Sequence, residues 1–163
     1  MYMDHQDFPV ILLDASGNVT GSKPRKDIDK VHDIFWCSDI LIFDTNDQLL
    51  LSLIPSGNLY AGLWGATSAT ILREDESPRD AALRALKKEL NIEDGEIEEI
   101  GEEFFVYDDG VKRKKTVFTC QYTNLLTANP DDITEIRGWS RAELAKAIEE
   151  TPEIFAPTFR GIW

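Results

Sequence analysis

The chain has 163 residues and a mass of 18.5 kDa, long enough to bury an apolar core without disulfide staples and short enough for one domain. Its 30 acidic and 17 basic residues give a formal charge of -13, which opposes non-specific binding to nucleic acid or an anionic membrane; a phosphorylated ligand would need metal ions or a local basic patch. The opening MYMDHQDFPVILL has no basic n-region before a long apolar run, and no segment approaches about 18 consecutive apolar residues. A cytoplasmic protein, neither exported by that route nor membrane-spanning, is expected.

In chain order, Val10 to Leu13, the turn Asp14-Ala15-Ser16-Gly17-Asn18 and Val19-Thr20 predict a short hairpin, followed by the polar linker GSKPRKDIDK. Residues 1–30 are thus expected to form a hairpin-and-linker extension of one domain spanning 1–163. Ile34 to Phe43 and Leu49 to Ile54 are apolar strands flanking the turn Asp44-Thr45-Asn46-Asp47, so an antiparallel pair is expected. Ile97 to Tyr107 and Lys115 to Thr123 predict a second hairpin around Asp108-Asp109-Gly110, with one buried face on the second strand. Lys112 to Lys115 is the strongest basic cluster in the sequence, and a charged hairpin tip is its commoner explanation. Ile133 to Trp139 predicts a short strand, and Ser140-Arg141-Ala142-Glu143 a capping box opening a helix. Thr151 to Trp163 is rich enough in apolar residues to be packed. Cys37 and Cys120 sit in apolar runs and are read as reduced core residues, although a single disulfide stays open.

The segment GLWGATSATILREDESPRDAALRALKKELNI carries the most chemistry. Ser77 is an N-cap, Pro78 suits the first helical position, Asp80 completes the cap and Asn91 supplies a left-handed stop. At 3.6 residues per turn, Leu83, Leu86 and Leu90 form an apolar stripe beside Ala81, Ala82 and Ala85, and Glu89 projects from among the alanines. A lone helical glutamate is usually solvated, but Glu89 lies on the half of the helix expected to pack. Lys88, about 100° round the helix from Glu89, would either sit beside phosphate or be solvated. Four tryptophans read mainly as core, with Trp64 the best candidate for stacking on a ligand. The order β, β, helix, β, β, helix implies an α+β fold with a sheet between helices.

Glu76, seven residues, Arg84, then Leu86, Glu89 and Ile92 resembles the Nudix box, the loop-helix-loop of enzymes acting on diphosphates. VILLDASGNVTGSKPR, then Asp47 to Leu51, Ala61-Gly62-Leu63-Trp64 and Thr151 to Pro157 are similar to the Nudix branch that contains isopentenyl-diphosphate isomerases. The resemblance implies an α/β/α sandwich with a mixed, mostly antiparallel sheet, a small phosphorylated metabolite or nucleotide as partner, and a single Mg2+ or Mn2+ ion held by Glu89 with help from elsewhere. It allows a homodimer. It casts Glu89, Arg84 and Glu76 as the catalytic set and Glu135 as an acid near the substrate; Trp64 and Lys88 are candidate ligand contacts by their own chemistry, not by the resemblance. The box is incomplete: Thr70, Ala85, Lys88 and Asn91 stand at the positions of its first Gly, two acids and closing Gly. The isomerase cysteine and histidine positions read Ala69 and Ile71, which exchange no proton, and the later acidic pair falls in Val111 to Lys115, where positive charge would repel a developing cation. A Nudix-type diphosphate hydrolase is therefore expected, with a non-catalytic ligand-binding or regulatory module and the isomerase itself as alternatives.

Overall fold

The computed structural model describes residues 7–163, so the first six residues of the expected extension lie outside the described range. Among the described residues nine strands form one sheet, laid around β3 (Phe35–Phe43). One edge of β3 pairs in parallel with β8 (Lys112–Gln121), from Phe35 opposite Arg113 to Phe43 opposite Gln121. Its other edge is taken in turn by β1 (Pro9–Leu13) at Leu12, by β6 (Ser68–Ile71), and by β4 (Leu49–Leu53) at Ile42 and Phe43. The remaining pairings are antiparallel: β1 with β2 (Val19–Pro24), β4 with β5 (Trp64–Gly65) and β9 (Ile136–Trp139), and β8 with β7 (Ile97–Val106).

Alternation along β3 sends its residues to two helical layers. Ile40 and Ile42 pack with Ala82, Ala85, Leu86 and Leu90 of α1 (Pro78–Leu90), and Ser38 Oγ donates to the Pro78 carbonyl at 2.7 Å. Leu41 joins Leu49, Leu51 and Val117 against Trp139, Leu144 of α2 (Arg141–Glu150), and Phe155 and Phe159 of the C-terminal segment that contains α3 (Pro157–Arg160). The mixed, mostly antiparallel sheet between helices is the expected α+β architecture. Cys37 and Cys120 are both buried and free.

Four local readings change. The β3/β4 pair touches only next to its turn, because β6 and β8 claim most of β3. β8 is buried on both faces, as a strand between two partners and two layers must be. It also begins at Lys112, so the basic run belongs to the sheet instead of a hairpin tip: Arg113 and Lys115 are each 4% exposed. Finally, α1 presses its alanines and Leu86 and Leu90 onto the sheet, whereas Leu83 is exposed.

Candidate active site

The site begins with α1. Ser77 Oγ accepts the Asp80 amide at 3.1 Å and Asp80 Oδ2 accepts the Ser77 amide at 3.3 Å, while Asn91 closes the helix at φ 56°. Ala81, Ala82 and Ala85 have no bulk to hold the helix off the sheet, so Glu89 comes close enough to β6 for Ser68 Oγ to donate to its carboxylate at 3.1 Å. The preceding loop is fastened to the same helix. Arg84 Nε and Nη2 donate to the two Glu76 carboxylate oxygens at 2.7 and 2.8 Å, and Nη1 and Nη2 reach Thr70 Oγ1 and the Ile71 carbonyl at 3.3 and 3.1 Å. Burial favours the neutral form of Glu76, but hydrogen bonds from Arg84 and the Arg73 amide prevail and hold its carboxyl below the ordinary value.

A cavity of about 300 Å³ opens here. It is lined from α1 by Arg84, Lys88 and Glu89, from β6 by Ala69 to Ile71, and from β3 and β8 by Cys37, Asp39, Arg113 and Lys115. Since α1 lies on one face of the sheet and Cys37, Asp39 and Lys115 project from the other, the lining passes round β6, whose second edge carries no strand among the described residues.

At α1 the lining sets Glu89 beside the cations Arg84 and Lys88. Asn129 donates its amide to the Glu89 carbonyl at 2.7 Å, Asn91 Nδ2 donates to the Thr127 carbonyl at 2.7 Å, and buried Ile133 packs into the α1 core. These contacts pin the segment before β9 onto the end of α1 and bring Asp131 and Asp132 to the cavity wall. Lys88 Nζ lies 3.2 Å from Asp132 Oδ1, whereas Asp132 Oδ2 is buried with no hydrogen-bond partner among the described residues. Burial first, and then the negative charge of Asp132, push the Glu89 carboxyl up to about 8, against the weaker opposing effects of the Ser68 hydrogen bond and the Lys88 and Arg84 charges.

Further cations line the cavity, and Arg25 is near enough to Glu89 and Asp132 to feel their charges. Arg113 stacks over the Phe35 ring, 3.7 Å from its centroid, and donates to the Lys112, Asp33 and Lys30 carbonyls. Arg25 and Lys30 line the same cavity. Lys30 is lowered by burial and then by the positive charges of Arg25 and Arg113. Lys115 Nζ and Asp39 Oδ2 form a buried ion pair at 2.5 Å. Cys37 also faces the cavity, but burial pushes its thiol up to about 11, so it is no thiolate near neutral pH.

The structure brings Glu89, Arg84 and Lys88 of the sequence-derived candidates to this cavity, with Glu76 behind Arg84. It does not bring Trp64 there: that side chain is half-buried and packs edge-on against Trp139 at a centroid separation of 6.1 Å, so its ring is used in the core. Glu135 is exposed and outside the lining, because its backbone carbonyl pairs with the Leu53 amide at the start of β9. The acid beside Glu89 is Asp132 instead. Asn129-Pro130-Asp131-Asp132 before an apolar residue was the available signal, a turn that delivers acids, but nothing local indicates which helix it docks on. Arg113 and Lys115 were visible as charges without their burial. His32 is exposed and bound to Asp29 at 2.8 Å, outside the lining.

The NUDIX domain model matches residues 20–159, and the chain belongs to that family. An isopentenyl-diphosphate Delta-isomerase of Paenarthrobacter aurescens (strain TC1) is 28% identical over 157 residues, spanning 91% of this chain and 84% of the relative. Among solved structures, DR0079 from Deinococcus radiodurans superposes with a TM-score of 0.74 at 16% identity, covering 88% of this chain and 90% of that one. The NUDIX domain of Shewanella oneidensis NrtR, solved with ADP ribose, gives 0.59 at 18% identity over 86% and 88%. These structural likenesses establish the fold.

Proposed function

We propose that the chain is a divalent-metal-dependent Nudix-type hydrolase that cleaves a small nucleoside-diphosphate-linked substrate. The observation that carries this reading is one cavity whose lining combines the carboxylates Glu89 and Asp132 with the cations Arg25, Lys30 and Arg113. Two close carboxylates, one with a buried oxygen lacking a partner, suit a hard cation. Among the described residues no group of three or more His, Cys, Asp or Glu side chains is arranged for a metal, so the set fits a single Mg2+ or Mn2+ whose coordination is completed by ligand oxygens. Such an ion, when bound, would draw charge from a phosphate and ease ionisation of water.

The chain's own groups supply the rest. Arg84, fixed by Glu76, is a positioning residue that holds the loop and α1 together and presents positive charge to the cavity. Lys88 limits the negative charge on Asp132. In the overall reaction a water oxygen bonds to phosphorus, the bridging P–O bond breaks, and the proton balance is completed by the phosphate products. The isomerase reading lacks support in the cavity lining, where Ala69 and Ile71 occupy the positions that would need a proton donor and acceptor.

A second reading, a ligand-binding or regulatory module without turnover, is favoured by Ala85 and Lys88 at positions where the Nudix box carries acids. The deciding experiment assays nucleoside diphosphate derivatives and isopentenyl diphosphate with Mg2+ and Mn2+, for wild type and Glu89→Gln. Metal-dependent phosphate release that falls at least about a hundredfold in the variant supports the hydrolase, a loss in the range expected for a group acting on the reacting centre. Ligand-induced thermal stabilisation without release from any substrate supports the binding module.

A further inference from the structure

The buried Lys115–Asp39 pair is not needed for the chemistry above, yet it occupies the cavity wall on β3 and β8. Its two charges compensate each other, so it is poorly suited to hold a phosphate. What remains is hydrogen-bonding capacity. Lys115 Nζ has two further N–H groups, and Asp39 Oδ1 is buried without a hydrogen-bond partner among the described residues, although Asp39 is only 2% exposed. Ala69 stands opposite Asp39 across the β3/β6 ladder and has no bulk to fill the space beside it. Tyr107 Oη is also buried without a partner, and burial followed by the Asp39 charge raises its titration, so the polar surroundings of this pair are incomplete on two sides.

We propose that Asp39 and Lys115 form a subsite that reads the hydrogen-bonding edge of a nucleobase, with a base N–H donating to Asp39 Oδ1 and an adjacent base acceptor receiving Lys115 Nζ. Such an edge, an N–H beside a carbonyl or ring nitrogen, matches a donor and an acceptor held side by side. A hydrocarbon tail offers neither group and would leave a buried ion pair facing an apolar surface, which selects against isoprenoid diphosphates. The proposal rests on the cavity being the ligand site, and it deepens that reading by naming the end that recognises the non-phosphate part of the ligand.

The test measures dissociation constants by calorimetry in chelator, without turnover, for inorganic diphosphate, isopentenyl diphosphate and the four common nucleoside diphosphates. The proteins are wild type, Asp39→Asn and the double variant Asp39→Leu/Lys115→Met. The double variant removes both buried charges at once and so leaves no unpaired ion to unfold it. We expect at least one nucleoside diphosphate to bind wild type about tenfold more tightly than inorganic or isopentenyl diphosphate, a difference of about 1.4 kcal/mol. That preference should vanish in the double variant and fall in Asp39→Asn, with inorganic diphosphate unchanged within about threefold and isopentenyl diphosphate improved. Isopentenyl diphosphate binding wild type as well as any nucleoside diphosphate, or the preference surviving in the double variant, would overturn the subsite while leaving the cavity assignment intact. Absence of binding by all ligands, inorganic diphosphate included, both in chelator and in a repeat with Mg2+ added, would overturn the cavity assignment and the subsite together.

Discussion

Glu89 sits where two features meet: the face of α1 that carries it is small enough to pack, and the cavity opens at that point. Packing strips water from the carboxyl and Asp132 adds a second negative charge, which is why it titrates at about 8 instead of 4.5. Between those values the folded chain keeps a proton that the unfolded chain has released, so this group's contribution to stability is intact below about pH 4.5 and is lost as pH rises through about 8. Glu89→Gln cannot ionise. In chelator, its urea-unfolding free energy should match wild type near pH 5 and exceed it near pH 8.5 by at least about 2 kcal/mol, given about 1.4 kcal/mol per pH unit and some relaxation around the charge. Parallel stability profiles for the two proteins would show that Glu89 is solvated after all. Glu89, Arg84 and Glu76 were legible in the sequence because one helix and its leading loop carry all of them at fixed spacing. Asp132, Asp39 and Lys115 were not, since they converge from segments whose mutual placement only the tertiary pairing decides.

At the scale of elements, the close contact of α1 with β6 depends on alanines. Ala82 and Ala85 are 0% and 1% exposed, while Leu83 is 37% exposed. Ala85→Leu must therefore lift the helix or strain its neighbours, at a cost of about 2 kcal/mol. It should also weaken ligand-induced thermal stabilisation, because Glu89 would be drawn away from Ser68. Leu83→Lys, which removes a larger side chain from the surface, should change stability by no more than about 0.5 kcal/mol. Denaturant midpoints for the two variants check the pair; a larger loss in Leu83→Lys would restore the leucine stripe as the packing face. The stripe misleads in the sequence because leucine outweighs alanine in any hydrophobic pattern, whereas a helix seated closely on a sheet needs small residues at the contact. The ends of α1, in contrast, were fully legible, since Ser77, Asp80 and Asn91 act within a few residues of themselves. The two-sided burial of β8 was hidden for the opposite reason: its parallel partner β3 lies far away in sequence.

Over the whole molecule, the charge of -13 and the cations of the cavity act on an approaching anion at different ranges. Glu98, Glu99 and Glu103 are exposed on β7, which among the described residues pairs only with β8 and forms an outer edge of the sheet where like charge discourages pairing with another chain. Their field reaches a ligand through water and is screened within about 10 Å at 0.1 M salt. Arg113 is buried, and salt screens it much less. Added salt thus removes distant repulsion faster than local attraction, so the two effects partly cancel. Inorganic diphosphate binding in chelator should weaken by less than about fivefold between about 20 and 200 mM ionic strength, whereas a protein with a basic surface loses far more. Changing Glu98, Glu99 and Glu103 together to Gln removes part of the opposing term without touching the cavity. That variant should bind more tightly at low salt and show a steeper loss with salt, the two curves converging near 200 mM, about the point where exposed charges are screened. A loss of about a hundredfold in wild type over the same range would mean that the anion is gathered by exposed surface cations and not by the buried ones.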